Sequence, residues 1–252
     1  RYGLTEGEVT RAKDNILAAY ENAANGADTR KNGEFVNPLI NHFFSNYSFM
    51  EPATRLELVK TIFSQINATV MNQILAQGFA DENSLVVVYS GPEKEGIATP
   101  TAGQLLQVID EVKKAEIEAP AADAVTEPLM DPSTLKGGNV KKTSKTVYGA
   151  TEWILSNGAK VVVLPTDHKK DQILFSFYKA GGQSLIPTED LASFDASIFG
   201  AFQSVQGLSK FKGTDLTKVL SGKMVSVSPF IDNLYNGVSG NSSVTDLETA
   251  FQ

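Results

Sequence analysis

The chain has 252 residues, 42% of them hydrophobic, and a formal net charge of −7 at pH 7. That balance argues against a nucleic-acid surface, which needs clustered positive charge, and no apolar run approaches the ~20 residues that cross a bilayer. The absence of cysteine excludes disulfides and thiolate metal sites, while the length allows one or two domains around a sizeable core.

Thr5-Glu6-Gly7-Glu8 opens the first predicted helix as a capping box, the threonine hydroxyl and Glu8 satisfying orphan amides reciprocally. Behind it Val9, Ala12, Ile16, Ala19, Tyr20 and Ala23 recur every three or four residues, one apolar stripe of an amphipathic helix. Asn25-Gly26 predicts a left-handed exit. Asn37-Pro38 predicts the start of a second, shorter helix, with proline where its missing amide does no harm. Pro52 marks a break. Leu56, Val59, Ile62, Phe63 and Ile66 then define a third helix, and Asn67 caps a fourth through Ile74. "SLVVVYSGP" predicts a buried strand ended by glycine and proline. Residues 1–92 thus read as four helices and a strand, half a layered domain that still needs a sheet.

From Glu93 the composition changes. Residues 98–145 read as a linker holding one helix, from Thr101 to about Lys114, followed by Pro120, Pro128, Pro132 and Gly137-Gly138. Its basic end, "KKTSK", reads as solvated connector rather than an anion site. Beyond it, Trp153 and Leu155 alternate with polar neighbours. Asn157-Gly158 is a strong hairpin signal, Val161–Leu164 returns, and Ile173–Tyr178 supplies a third strand. A helix is predicted from about Thr188 to Gly207, with Leu191, Phe194, Ile198, Phe202 and Val205 on one face. A short helix, Asp215–Leu220, follows. "KMVSVSPFIDNLYNGVSG" predicts a strand pair turned at Asn236-Gly237, before a last helix. The expected class is α+β, helices packed on a largely antiparallel sheet.

The stretch "LSNGAKVVVLPTDHKKDQILFSFYKAGGQSL" resembles the opening of a domain in the pitrilysin/insulinase-type zinc metallopeptidases, the family that includes mitochondrial processing peptidase. "GLTEGEVTRAKDNI", "FVNPLINHFF" and "SLVVVYSGP" resemble the closing half of such a domain. The resemblance implies two partial metallopeptidase-like domains. Residues 1–97 are the closing half of one, 98–145 the linker, and 146–252 the opening half of the next. It also implies a central piece of a longer chain. The opening "RYGLTEGE" carries neither initiator Met nor signal peptide, and the closing "VTDLETAFQ" reads as a helix just begun.

Active members of that family carry H-x-x-E-H on the helix after the opening strands. Two imidazoles hold zinc and the glutamate acts as general base on its water. The matching window here, residues 190–207, contains neither histidine nor glutamate. Asp190 and Asp195, the latter beside Ser197, are its only carboxylates, too few to hold zinc tightly. The expectation is therefore no catalytic, cofactor-binding or metal-ligating residue in this chain, with zinc held in a catalytic domain upstream of Arg1. His168 reads as an exposed turn residue and His42 as a packed core histidine. "SGK" at 221–223 lacks the upstream glycine of a P-loop. Gly181-Gly182 reads as a strand exit rather than an anion cradle. The triplets at Asn46, Asn67 and Asn241 are of glycosylation type and decide nothing alone.

The resemblance implies the non-catalytic central part of a zinc-dependent peptidase. It would be inactive by itself and would supply a chamber wall and the link between halves for peptide substrates. The alternative is a zinc-less structural or assembly subunit of the same fold. Peptide substrates, other domains of the same chain and a second copy are the expected partners, without nucleic acid or membrane insertion. Family analogy gives a periplasmic or exported location.

Overall fold

The computed structural model describes residues 2–78, 85–92, 94, 96, 98–119, 127–194 and 207–252. In chain order the elements are α1 (Glu6–Asn25), α2 (Gly33–Ser45), α3 (Pro52–Phe63), α4 (Ala68–Gly78), α5 (Ala102–Lys114), β1 (Val140–Lys145), β2 (Thr151–Leu155), β3 (Lys160–Val163), β4 (Ile173–Ala180), α6 (Gly213–Val219), β5 (Val225–Ile231), β6 (Tyr235–Ser242) and α7 (Leu247–Phe251). The class is α+β, and the described residues form two separate antiparallel three-stranded sheets ordered β1-β2-β3 and β4-β6-β5. The chain divides into two units, Arg1–Thr10 with Ile66–Ala124, and Arg11–Gln65 with Val125–Gln252.

In the first unit, helix starts carry most of the polar order. The Thr5 amide donates to the Glu8 carboxylate at 2.7 Å and the Glu8 amide donates back to the Thr5 hydroxyl at 3.2 Å, the reciprocal box expected from the sequence. Asn67 accepts from the Val70 amide at 3.0 Å and starts α4, and Glu6 accepts from the Ala68 amide at 2.9 Å. Asn72 ties α4 to the chain start, accepting from the Leu4 amide and donating to the Leu4 carbonyl. Thr101 and Gln104 form a second capping box on α5. The predicted strand in "SLVVVYSGP" is not formed: residues 85–92 belong to no ladder, and Val86 and Val88 are 81% and 83% exposed. A strand exists only as one side of a ladder, and among the described residues of this unit there is no strand for it to join.

In the second unit α1 ends without the left-handed exit expected at Gly26, whose φ is −87°; the chain runs on into a 3-10 turn, Ala27–Thr29. The predicted start of α2 at Pro38 is also corrected. That helix opens five residues earlier, with Pro38 inside it, because Glu34 reaches back to accept from the Lys31 amide at 3.2 Å while its own amide donates to the Lys31 carbonyl. Pro52 opens α3 at its first turn, where proline costs no hydrogen bond. Residues 195–206, which hold most of the helix predicted between Thr188 and Gly207, lie outside the described residues. Leu191–Ser193 before them form a 3-10 turn.

The first sheet contains the expected hairpin at Asn157-Gly158, with different turn chemistry. The Leu155 amide donates to the Ala159 carbonyl, the Gly158 amide donates to the Leu155 carbonyl, and Gly158 alone is left-handed, at φ +86°. This is a three-residue loop closing on a bulge glycine. Upstream, Val140–Lys145, expected within the linker, forms β1. It pairs with β2 through a loop of the same kind: the Thr146 amide donates to the Ala150 carbonyl and Gly149 sits at φ +81°.

In the second sheet the predicted turn at Asn236-Gly237 is corrected. Both residues lie inside β6, and the chain reverses at Asn233-Leu234, with the Asp232 amide donating to the Tyr235 carbonyl at 2.7 Å. Phe175 and Phe177, two apart on β4, share a face on which Phe251 of α7 packs, with ring centroids 5.6–5.8 Å apart. Such aromatic pairs contribute about 0.5–1.5 kcal/mol each beyond area burial.

Candidate functional site

The residues weighed as chemistry-bearing in the sequence do not converge. His42, expected to be packed, is exposed on α2, and its Nδ1 lies 2.6 Å from the Tyr47 carbonyl oxygen. The reason is that the apolar side of α2 is uncovered among the described residues: Phe43 and Phe44 beside it are 81% and 78% exposed. His168 is exposed in a turn, 3.9 Å from Asp167. Asp190 is exposed and precedes the Leu191–Ser193 turn, while Asp195 and Ser197 lie outside the described residues. Among the described residues no three His, Asp or Glu side chains come together as a metal-binding group. Among the described residues His168 has only the Asp167 carboxylate near it and His42 only the Tyr47 carbonyl, which do not fit a tetrahedral zinc site, and no chemical step through zinc is derived for them.

Gly181-Gly182 has its amides committed to structure. The Gly181 amide donates to the Leu234 carbonyl, Gln183 to Asp232 and Ser184 to Asn233, and the Gly182 amide donates to the Asn236 side chain at 3.3 Å. The glycines clasp the β5–β6 turn, leaving no open cradle of amides for an anion. "SGK" is likewise spent: the Ser221 hydroxyl donates to the Arg11 carbonyl at 3.0 Å and the Gly222 amide to the Asn15 side chain at 2.7 Å.

The main buried charge is Asp246. Burial alone raises a carboxyl's pKa, yet the Met224 amide (2.9 Å), the Ser243 hydroxyl (2.9 Å) and the Lys223 ammonium (3.1 Å) outweigh it and hold Asp246 below the usual carboxylate range. This carboxylate fastens the entry of α7 to the start of β5. Asp171, held left-handed at φ +52°, accepts from the Asn25 side chain and from the Val244 amide, each at 2.9 Å. Neither role was foreseen from the sequence. A Ser-x-x-Asp capping-box spacing at 243–246, in which the Asp246 amide donates to the Ser243 hydroxyl at 3.1 Å, was the available signal for the first.

Two hollows lie within the second unit. One, of about 380 Å³, is lined by Asp14, Leu17, Ala18, Glu21, Ser221 and Gly222. The other, of about 110 Å³, includes Tyr20, Phe35, Phe49, Arg30 and Arg55. Arg30 is already engaged, 2.9 Å from Glu51 and stacked 4.5 Å over the Phe35 ring. The larger open features are the sheet edges. Among the described residues β4 pairs only with β6, and Leu174 and Tyr178 on it are exposed.

The α+β architecture and the motifs of this chain resemble those of the pitrilysin/insulinase-type zinc metallopeptidases. More particularly, it is similar to a zinc protease PQQL-like protein of Arabidopsis thaliana, 23% identical over 196 residues, covering 76% of this chain and 20% of that protein. The chain thus spans a fifth of the length of that relative. No family model matches it. Two solved structures align with it. The ferredoxin protease FusC, a mutant form in complex with Arabidopsis ferredoxin, gives a TM-score of 0.46 at 17% identity, covering 100% of this chain and 28% of that one. The periplasmic protease PqqL of Escherichia coli gives 0.43 at 15% identity, covering 98% and 27%. No helix among the described residues is long and apolar enough to cross a membrane.

Proposed function

We propose that this chain is a non-catalytic part of a zinc-dependent peptidase. Residues 1–97 and 146–252 belong to two successive metallopeptidase-like domains, and 98–145 link them. The observation that carries the reading is the similarity to a zinc protease over 196 residues, set beside a 190–207 window with neither histidine nor glutamate. In this reading catalysis and zinc reside in a domain outside these residues. The part described here walls a chamber that selects peptides by size, and the open β4 edge takes substrate as an added strand. A periplasmic or exported setting, contacts with other domains and pairing with a second copy belong to the same proposal.

The alternative is a zinc-less assembly subunit, favoured by the extent of exposed apolar side chains such as Phe43, Phe44 and Tyr178, which mark surfaces made for protein contact. The test is incubation of the purified chain with a quenched fluorescent peptide and added zinc. No turnover above background is expected. Chelator-sensitive turnover that co-purifies with the protein overturns the non-catalytic assignment. Restored zinc-dependent cleavage by the longer protein separates the peptidase part from the assembly subunit.

A further inference from the structure

The basic segment read as mere connector is the edge of a sheet. Within β1, Lys141, Lys142 and Lys145 are exposed, and among the described residues β1 pairs only with β2. The register shift between Val140 and Lys142 leaves Lys141 as an extra residue opposite β2. Such a bulge bends the strand and turns two successive side chains toward the same side. Lys145 reaches across the ladder, donating to the Thr151 hydroxyl opposite it at 2.7 Å, and among the described residues no carboxylate forms an ion pair with Lys141, Lys142 or Lys145. The strand leads into a hairpin tip at which Val147 and Tyr148 are 93% and 87% exposed.

We propose that the β1 edge docks an extended acidic segment of a partner protein, added as a fourth strand, with an apolar residue of that segment resting on Val147 and Tyr148. The unpaired edge offers amides and carbonyls at the spacing of a polypeptide strand, a repeat that a nucleic-acid backbone does not share. Three lysines on one edge discourage pairing with a like strand of a second copy and favour a strand of opposite charge, so the same residues reject one partner and select another. The inference rests on edge geometry and charge and does not depend on the peptidase reading.

The experiment uses the whole chain and a fluorescein-labelled Glu-Val repeat peptide ending in Leu, followed by anisotropy. Its controls are the Lys-Val counterpart, the same acidic peptide N-methylated at alternate amides, and a single-stranded oligonucleotide. The acidic peptide is expected to bind. Affinity should fall about tenfold in the K141Q/K142Q/K145Q variant, consistent with three exposed charge pairs, and by a similar factor on N-methylation. Y148S should weaken it less. Circular dichroism and Tm of the triple variant should match the parent, since these side chains are exposed. Absence of binding, equal affinity for the basic peptide, indifference to N-methylation, or tighter binding of the oligonucleotide each overturns the proposal.

Discussion

The first sheet closes both of its hairpins with three-residue loops that end on a left-handed glycine, Val147-Tyr148-Gly149 and Ser156-Asn157-Gly158. The second sheet joins β5 to β6 by a two-residue reversal held from outside by the amides of residues 181–184. One sheet is therefore assembled from contacts close in sequence. The other waits for β4 to meet a strand 55 to 69 residues later, in a register running from Ala180↔Tyr235 to Ile173↔Ser242, with the closure entropy that such separation costs. The comparison teaches that glycines of similar φ do unequal structural duty. A Cβ on Gly158 meets nothing within 4 Å, whereas one on Gly182, at φ +65°, runs into the Asp232 carbonyl and the Tyr235 backbone.

The sharpest way to break that comparison is Gly182→Val. It combines positive-φ strain with backbone collision and should destabilise the second sheet by about 3 kcal/mol or more, read as a fall in Tm. A loss no larger than that of Gly158→Ala would show the clasp to be idle. Next comes Asp246→Ala, expected to cost about 2 kcal/mol at pH 7 because the Met224 amide and Ser243 hydroxyl lose their acceptor.

Because Asp246 is held below its ordinary value, its stabilisation is fully present above the unfolded carboxyl value of about 3.9. It is lost as pH falls through the lower folded value. The gap in stability between the parent and Asp246→Asn should thus be full at neutral pH and shrink in acid. A gap that widens in acid contradicts the assigned direction. Gly158→Ala should cost about 1 kcal/mol, strain without collision. Smallest is Thr101→Ala on α5, about 0.5–1 kcal/mol for a box on an exposed helix. Helical circular dichroism of the two variants distinguishes a hairpin effect from a helix effect.

Several signals carried by neighbours in sequence were legible. The box at Thr5, the helix start at Thr101, the Asn67 cap and the Asn157-Gly158 reversal each need three to five residues to satisfy their own backbone. Reading failed where a distant partner decides. "LVVVY" has strong strand propensity, but propensity supplies no ladder. β1 was hidden because its turn, Thr146 to Ala150, carries Val147 and Tyr148 where turn residues are usually small or polar. Asn236-Gly237 carried a turn signal, but the register with β4 holds it within β6. His42 sits among apolar neighbours in sequence, yet α2 leaves that face open.

The sequence by itself determined the α+β class, the starts of α1, α4 and α5, one hairpin and the family likeness, because capping, periodicity and turn chemistry act within a few residues. Tertiary structure alone decided that Gly182 clasps a turn fifty residues on and that Asp246 stays ionised against burial. Those outcomes depend on which groups meet across long loops, and no local free energy encodes that meeting.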